Sequence, residues 1–486
     1  MEATRLQHLQ CKQQPDISLT KEDMSPPSNN VENKPNDTTT SSSTCTVTSS
    51  IETLPPTTAA ATTKESEATT STSSLRRRVT PYRDNAFDIL PYNVHPQAAD
   101  FKDQLLQVTK AVCPFLENEP HLSITPLSGG LSNELFVLST TQNGKHQPSV
   151  LVRIHPQVEE QHSMVDRAME NRITAWLSSL RIGPTYYGRF QNGRVEEFYS
   201  QHVPLSHNEM PVYGASHVAP IMAQFHSLRV PSGVLEPSDV RGDIFHRISN
   251  WLQMADQILQ NVEEEETPTI IKAREWLVKL QQEWAWYQEA LERENNKSAS
   301  NTGTGDHNNP TNPSPQATAQ RLFTQMVFTH MDMQSLNLLR DTNNTTPTVI
   351  KVIDFEYAGF NPRAVDMANT FLEHCDMNNI KPNYEAEYPS VQLQNDFIQS
   401  YIRHLTFLTT DNVLEHAKDV LEEEMFLKNA RQIVGQYTLM SHLSWSVWSI
   451  IQSQVSDIDF DYLAYLECRM EGYEYMKGLY FRGVGE

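Results

Sequence analysis

The chain has 486 residues, enough for about two or three lobes of ~100–200 residues each. Its 38 Lys and Arg against 60 Asp and Glu leave a formal charge of −22, which argues against a nucleic-acid protein built on phosphate neutralisation. A hydrophobic share of 38% is low for a wholly folded chain, and five scattered cysteines without a C-x-x-C pair argue against a disulfide framework or structural zinc and fit a reducing compartment.

The first residues, Met1 to Gln14, lack the apolar core of a secretory signal, so a cytoplasmic protein with no stable membrane insertion is expected. Residues 1–85 are dominated by Thr, Ser, Pro, Asn and Glu and are expected to be a disordered tail, since they bury too little to offset chain entropy. Arg76-Arg77-Arg78 reads as a solvated charge cluster, with a docking site as the sharper alternative. Residues 86–205 are expected to form a small lobe. Leu122 to Thr140 gives apolar runs broken by Ser128-Gly129-Gly130, and Val150 to Ile154 reads as a buried strand. Val165 to Leu180 has helical spacing, and Arg194 to Tyr199 reads as a strand entered through the hairpin signal Asn192-Gly193. Residues 206–486 are expected to form a larger, mostly helical lobe, with helical periodicity over Ser216–Gln288 and from Glu385 onward. The Asn/Ser/Gly-rich stretch 295–320 is expected to be a disordered surface insertion. Ile433 to Ile451 is the longest apolar stretch, but Gln436, His442 and several serines interrupt it, so no bilayer span is expected. The fold class is α+β, a small antiparallel sheet followed by helices.

The strongest chemical pattern is His330-x-Asp332 with Asn337 five residues on, then a turn-rich segment, then a strand Thr348–Ile353 ending in Asp354. Protein kinases space a proton-accepting Asp and two oxygen ligands for Mg²⁺ in this way. Asp332 is the candidate base; Asn337 and Asp354 are candidate metal ligands. Upstream, Gly129 and Gly130, followed by Leu131, Ser132 and Asn133, suit a turn over nucleotide phosphates, although a Gly-Gly pair between strands is by itself an ordinary turn. Arg153 stands on the next buried strand, where a guanidinium can clamp phosphate oxygens, with Glu170 as its expected ion-pair partner or an ordinary surface bridge as the alternative. Trp445 and Trp448 fall at i and i+3 of a helix, with Phe460, Tyr462 and Tyr465 close behind. Such a set is either an aromatic core stripe or a cage for a quaternary ammonium group.

Taken together, the blocks Ser128–Asn133, Val150–Ile154, Asn192–Phe198, Phe328–Asn337, Ile353–Asn361 with Asp366, Asn369 and Glu373, and Ser441–Tyr465 resemble the choline/ethanolamine kinase family over roughly residues 120 to 475. The resemblance implies a protein-kinase-like two-lobe fold, ATP and Mg²⁺ as cofactors, and phosphorylation of the hydroxyl of choline, the first step of the CDP-choline route to phosphatidylcholine. Ethanolamine, or both amines, is the alternative substrate. By position it implies Asp332 as base with Asn337 and Asp354 in the catalytic set. It implies Asn337, Asp354 and Glu356 toward the metal. Gly129, Gly130, Leu131, Ser132, Asn133, Arg153, Glu197, Phe198, Gln334 and Asp354 would lie toward the nucleotide. Asp332, Glu373, Trp445, Trp448, Phe460 and Tyr465 would surround the amine. Family members often form dimers, so a homodimer is among the implied partners. A kinase for another amine, such as an aminoglycoside, would use the same carboxylates but not the tryptophan pair, and a pseudokinase would lack Asp332, Asn337 or Asp354. The chain departs from the family pattern at Met331 (usually Asn), at Thr370 (usually His), and in lacking a tyrosine soon after Glu373, for which Tyr384 is the nearest substitute.

Overall fold

In the computed structural model, the described residues are 88–119, 121–127, 133–140, 149–155, 163–235, 242–262, 267–301, 313–343, 349–376, 382–409, 411–456 and 458–481. Residues 1–85, Arg76–Arg78 among them, and the turn Ser128–Ser132 lie outside that set. The smaller lobe is built on β1 (Ile89–Leu90), β2 (Leu122–Leu127), β3 (Glu134–Thr140), β4 (Val150–Ile154), β5 (Tyr186–Phe190) and β6 (Gly193–Glu197), in the order β1-β5-β6-β4-β3-β2. All neighbours are antiparallel except β1, whose short pairing with β5 is parallel. Helix α1 (Phe101–Val112), which the sequence reading passed over, covers one face, where Leu105 and Val108 meet Val150, Val152, Ile154 and Val195. Because strand side chains alternate, Arg153, Arg194 and Glu196 are thereby turned to the opposite face, toward α2 (Arg167–Ser179).

The hairpin falls where expected but one residue earlier. Gln191 and Asn192 make the turn, while Gly193 is the first residue of β6, paired with Phe190. A Cβ on Gly193 would lie 2.3 Å from the Arg153 carbonyl oxygen, so the glycine serves close strand approach and not the turn. The strand also ends at Glu197, short of the expected Tyr199.

The larger lobe carries α3 (Ala219–Ser227), α4 (Ile244–Gln260), α5 (Pro268–Asn301), α6 (Pro315–Phe323), α7 (Arg363–Leu372), α8 (Val391–Leu408), α9 (Asn412–Asp419), α10 (Glu424–Val455) and α11 (Tyr462–Tyr480). The stretch 295–320 differs from its expected character, because α5 runs on to Asn301 and α6 begins at Pro315 behind a Ser314 cap. Polar Asn and Ser residues extend a helix there because α5 is already nucleated by its buried Leu277, Leu280, Trp284 and Tyr287. Two small sheets sit among the helices: β7 (His202–Pro204), β9 (Leu338–Asp341) and β10 (Ile350–Val352) in the order β10-β9-β7, and β8 (Met326–Thr329) with β11 (Gly359–Pro362). They carry the segments on either side of Asp332 and Asp354. No helix among the described residues is long and apolar enough to cross a membrane. In α10 the buried serines, Gln436 and His442 fill interhelical positions.

Gly359 of β11 meets Gly242, just before α4, backbone against backbone. An added Cβ on Gly359 would meet the Gly242 carbonyl oxygen at 2.3 Å and its Cα at 2.5 Å. Asn361 locks the contact, its Oδ1 accepting from the Ile244 N–H at 2.8 Å and its Nδ2 donating to the Gly242 carbonyl at 3.0 Å. Backbone cannot yield as a side-chain end can, so Gly359→Ala should destabilise by about 1–3 kcal/mol. An unchanged denaturation midpoint in urea would show that the two segments are free to separate.

Candidate active site

The turn after β8 is held by one carboxylate. Asp366, fully buried in the first turn of α7, accepts the backbone N–H of His330 at 3.0 Å, that of Met331 at 2.8 Å, and the His226 Nε2–H at 3.1 Å. Burial alone would raise its pKa, but these partners hold it below the ordinary value. With the backbone held this way, Met331 has φ of 69°, a region that costs a non-glycine side chain about 1–2 kcal/mol. Asn tolerates that region; Met does not, and here its burial at 5% exposure offsets the strain. Behind Asp366, Arg363 donates to the Tyr401 hydroxyl at 2.6 Å, and Tyr401 donates to His226 Nδ1 at 2.7 Å.

The His330 ring ties the two halves of the motif. Its Nδ1 accepts the Asp332 N–H at 3.1 Å and its Nε2–H reaches the Ile353 carbonyl at 3.1 Å, which keeps it neutral, as burial also dictates. Asp332 is buried, with Asn337 Nδ2 at 2.8 Å and Gln334 Nε2 at 3.3 Å from its Oδ2. Its pKa is pushed well up by desolvation, then by the charges of Glu373, Asp354 and Glu356. Asp354, past the end of β10, also takes a positive φ, of 66°. Its Oδ2 lies 3.6 Å from Arg153 Nη1, while its Oδ1 is buried without a hydrogen-bond partner.

Oxygens of Asp354, Glu356 and Glu170 all lie within 4.8 Å of one another. Arg167 bridges two of them, at 2.8 Å from Glu170 and 3.0 Å from Glu356. Burial and the Asp354 charge still raise Glu356 to about 7. Here one expectation is corrected. Besides Arg167, the arginine that takes Glu170 is Arg194 of β6, wholly buried, which also donates to Glu196 at 2.7 Å; Arg153 lies 3.3 Å from Glu196 and 3.6 Å from Asp354. Arg153 and Arg194 are opposite each other on β4 and β6, and Arg194 is the one set against α2. The spacing Arg194-x-Glu196 on one strand face was the available signal.

Of the other expected nucleotide contacts, Glu197 takes the Thr185 N–H at 3.1 Å and the Thr185 hydroxyl, and the Phe198 N–H goes to the Ser149 carbonyl. Asn133 Oδ1 meets His155 Nδ1 at 2.8 Å. Gly129, Gly130, Leu131 and Ser132 lie outside the described residues.

The aromatic residues form one continuous wall of edge-to-face rings. Tyr357 meets Trp445 at 5.5 Å between centroids, Trp445 meets Trp448 at 5.7 Å, and Trp448 meets Tyr462 at 5.5 Å and Tyr465 at 6.3 Å. Phe460 closes on Tyr462 at 4.9 Å and Tyr465 at 5.9 Å. Trp445 and Tyr465 stay half-buried, unlike the sealed rings of a core stripe. Burial pushes the Tyr465 hydroxyl up to about 12, with the charges of Glu373 and Asp332 adding to it, so this wall stands within electrostatic reach of both carboxylates. Tyr357 was not singled out from the sequence. Tyr384 does not join the wall; it packs on His442 and Tyr475 and donates to the Cys468 carbonyl at 3.0 Å. The Thr370 hydroxyl is buried without a partner, and nothing in the structure explains it.

A small sheet lobe over a helical lobe, with Asp332, Asn337 and Asp354 gathered where they meet, defines a protein-kinase-like phosphotransferase fold. The same architecture occurs in a choline kinase from Cryptosporidium parvum, with a TM-score of 0.55 at 24% identity over 78% of this chain and 96% of that one. The family model for choline/ethanolamine kinases matches residues 124–474. The chain belongs to the choline/ethanolamine kinase family and is a kinase of that family. It is 28% identical over 357 residues to a probable choline kinase 2 of Arabidopsis thaliana, covering 72% of this chain and 85% of that one. It is 29% identical over 371 residues to a human choline/ethanolamine kinase, covering 74% and 80%.

The guanidinium of Arg194 compensates two buried carboxylates, Glu170 and Glu196, both held below ordinary values by it. Arg194→Met leaves Glu170 to Arg167 and Glu196 to Arg153, each buried carboxylate losing its hydrogen-bonded partner on β6, and should cost about 3–5 kcal/mol in chemical denaturation. Adding Glu196→Gln should recover part of the loss; a double variant no better than the single would show that Arg194 acts by packing.

Proposed function

We propose that this chain transfers the γ-phosphoryl group of ATP to the hydroxyl of choline, with Asp332 as the proton acceptor. The observation that carries the amine class is the wall of Tyr357, Trp445, Trp448, Tyr462, Phe460 and Tyr465, with Trp445, Phe460 and Tyr465 only half-buried, beside Asp332 and Glu373, two carboxylates whose burial outweighs the partial compensation from Gln334 and Arg469. Ring faces and edges solvate the methyl groups of a quaternary ammonium, and each cation–π contact contributes about 0.5–2 kcal/mol. Glu373 supplies the counter-charge, and a bound cation relieves the repulsion that raises Asp332. Desolvation makes Asp332 a stronger base than an exposed aspartate, which suits a hydroxyl proton. Asn337 holds the Asp332 carboxylate by its amide N–H, so its carbonyl oxygen is the atom turned to other ligands.

The donor set fits a hard divalent cation: carboxylates at Asp354 and Glu356, an amide oxygen at Asn337, and one buried Asp354 oxygen without a partner. Bound there, Mg²⁺ supplies charge neutralisation for the phosphates. Arg153, on the same side as Asp354, serves the nucleotide, and Gly129 to Asn133 with Gln334 are its expected neighbours. The names of the relatives, which include choline kinase and choline/ethanolamine kinase, support the amine class and leave both amines in view. Ethanolamine is favoured by Glu373 and Asp332 as hydrogen-bond acceptors for a primary ammonium; the unbroken aromatic wall favours choline.

The test is ATP turnover with Mg²⁺ by the purified chain, choline against ethanolamine, with the phosphorylated amine identified by phosphorus NMR. Choline should have at least tenfold higher kcat/KM; the reverse ratio makes this an ethanolamine kinase, and no product with either overturns the amine reading. Asp332→Asn should lower kcat at least a thousandfold while ATP binding stays within threefold. Near-normal turnover would remove Asp332 from the proton transfer. Glu373→Gln should raise the amine KM tenfold or more. Because burial penalises the Glu373 charge, the same change should leave the pH 8 melting midpoint no lower than that of the unsubstituted chain. The sign follows from a raised carboxyl pKa: ionisation costs stability as pH rises above the unfolded value, and the amide removes that cost. A lower midpoint with unchanged KM would make Glu373 structural.

A further inference from the structure

A one-way chain of hydrogen bonds runs beneath the aromatic wall. Arg469 Nη2 donates to Ser441 Oγ at 3.0 Å, Ser441 Oγ donates to Asn369 Oδ1 at 2.7 Å, and the Trp445 indole Nε1–H donates to the same Asn369 Oδ1 at 3.2 Å. On its other side Asn369 Nδ2 faces the Met331 carbonyl at 3.5 Å, in the turn that precedes Asp332. The directions leave only one orientation for the Asn369 amide, because two donors meet its oxygen. Asn369 is 2% exposed, and Ser441 and Arg469 are buried with it.

Two features make this chain more than packing. Arg469 is a buried cation in a lobe expected to receive a cation, and its Nε and Nη1 have no hydrogen-bond partner. Its one described hydrogen bond is to Ser441, with the Tyr465 ring 5.8 Å from its guanidinium. The charge of Glu373 helps to keep the guanidinium ionised, but each N–H left without a hydrogen-bond partner costs about 1–3 kcal/mol, so the bond to Ser441 is not incidental. Trp445, for its part, packs against the core with one side half-open. It touches Tyr357 and Trp448 edge-to-face, and beside it lies a cavity of about 10 Å³ lined by Trp251, Ser441, Ser444 and Asn369. Edge-to-face contacts tolerate rotation, whereas an indole N–H bond fixes the ring plane.

We propose that Asn369 is a positioning residue of the amine site: its side-chain oxygen sets the Trp445 ring plane, and Ser441 with Arg469 sets Asn369. The inference rests on the amine-kinase reading above. Asn369 does not touch the amine; it acts through Trp445 and, through Met331, on the turn that carries Asp332. Its replacement therefore alters amine affinity without altering the nucleotide site.

Two near-isosteric substitutions separate this from a packing role. Asn369→Leu keeps the volume and removes the acceptor; Asn369→Asp keeps an oxygen for both Ser441 and Trp445. The relay requires Leu to raise the amine KM at least tenfold with the ATP KM within twofold, and Asp to stay within threefold of the unsubstituted chain. A packing role requires the opposite order, since Leu fits an apolar surround and Asp buries a charge; that order, or equal effects, overturns the proposal. Should Asn369→Leu fail to fold, Ser441→Ala should raise the amine KM about three- to fivefold, and an unchanged KM overturns the proposal equally.

A readout free of turnover keeps the two readings apart. The Trp445 indole N–H resonance, identified by its loss in Trp445→Phe, should be protected from solvent exchange in the unsubstituted chain and in Asn369→Asp, and lose protection in Asn369→Leu. If the unsubstituted chain phosphorylates neither amine, the kinase reading fails while this measurement still decides the relay. Full protection in Asn369→Leu overturns the relay whatever the enzyme's substrate.

Discussion

The turn that carries Asp332 hangs from the carboxylate of Asp366. A buried carboxylate is expensive to desolvate, and it persists here because three N–H donors converge on it: two from consecutive backbone amides, one from His226. Hydrogen bonds to a charged acceptor contribute about 1.5–3 kcal/mol each, enough to outweigh the left-handed conformation of Met331. That conformation turns the chain sharply between His330 and Asp332. The His330 ring then spans to Ile353 and fixes the approach to Asp354, itself at positive φ. Two strained residues, each just past the end of a strand of a different sheet, are thus referred to one helix, α7, and the same helix carries Asn369. Charge supports the arrangement from behind, where Arg363, Tyr401 and His226 form a chain of donors ending on Asp366.

The buried acids of the protein fall into two populations, and the distinction follows from what each one faces. Glu170 and Glu196 are enclosed by arginines and sit below their ordinary pKa values. They are a lattice that joins β4, β6 and α2, and Arg167 and Arg153 carry it across to Glu356 and Asp354 of the other lobe. Asp332, Glu356 and Glu373 have the opposite shift, because burial, joined at Asp332 and Glu356 by the repulsion of neighbouring carboxylates, exceeds the compensation they receive. Groups left in that state mark where external cations are expected. The split lies along the chemistry: the shifted-down acids hold the lobes in register, and the shifted-up acids line the region between Asp354 and the aromatic wall.

What could be read from the sequence was what lies close together in it. Asp332, Asn337 and Asp354 occupy a single hairpin with its flanks, so their spacing alone implies their convergence. The tryptophans share one helix face for the same reason. Strand β4 and helix α2 were legible from periodicity. Partnerships across long separations were not. Arg194 reaches Glu170 only because β6 lies beside β4 and α2 crosses behind them, and Arg153 was the obvious candidate on charge alone. Asp366 was visible as part of a motif, but its role depends on His330 and Met331 being folded back onto α7. The hairpin at Gln191–Asn192 was displaced by one residue because Gly193 was read as a turn residue when the Arg153 carbonyl is what excludes a side chain there.

The tyrosine that the family pattern places after Glu373 bears on how the aromatic wall closes. Tyr384 is committed elsewhere: its hydroxyl bonds the Cys468 carbonyl and its ring packs against His442 and Tyr475, so bringing it to the wall would break a buried hydrogen bond and two ring contacts. Tyr357 compensates from the opposite end. It follows Glu356 directly, and its ring meets Trp445 almost perpendicularly while Arg247 lies 5.2 Å above it. Its position is therefore set by the same loop that carries Asp354 and Glu356. The wall is thus attached at one end to the loop of Asp354 and Glu356, through Tyr357, and at the other to α11, through Tyr462 and Tyr465. Trp445 is the ring between them, and it is tied by its indole N–H to the helix that holds the His330–Asp332 turn. A displacement of α7 is accordingly felt at both Asp332 and Trp445, which couples the placement of the proposed proton acceptor to the placement of the ring proposed to hold the amine.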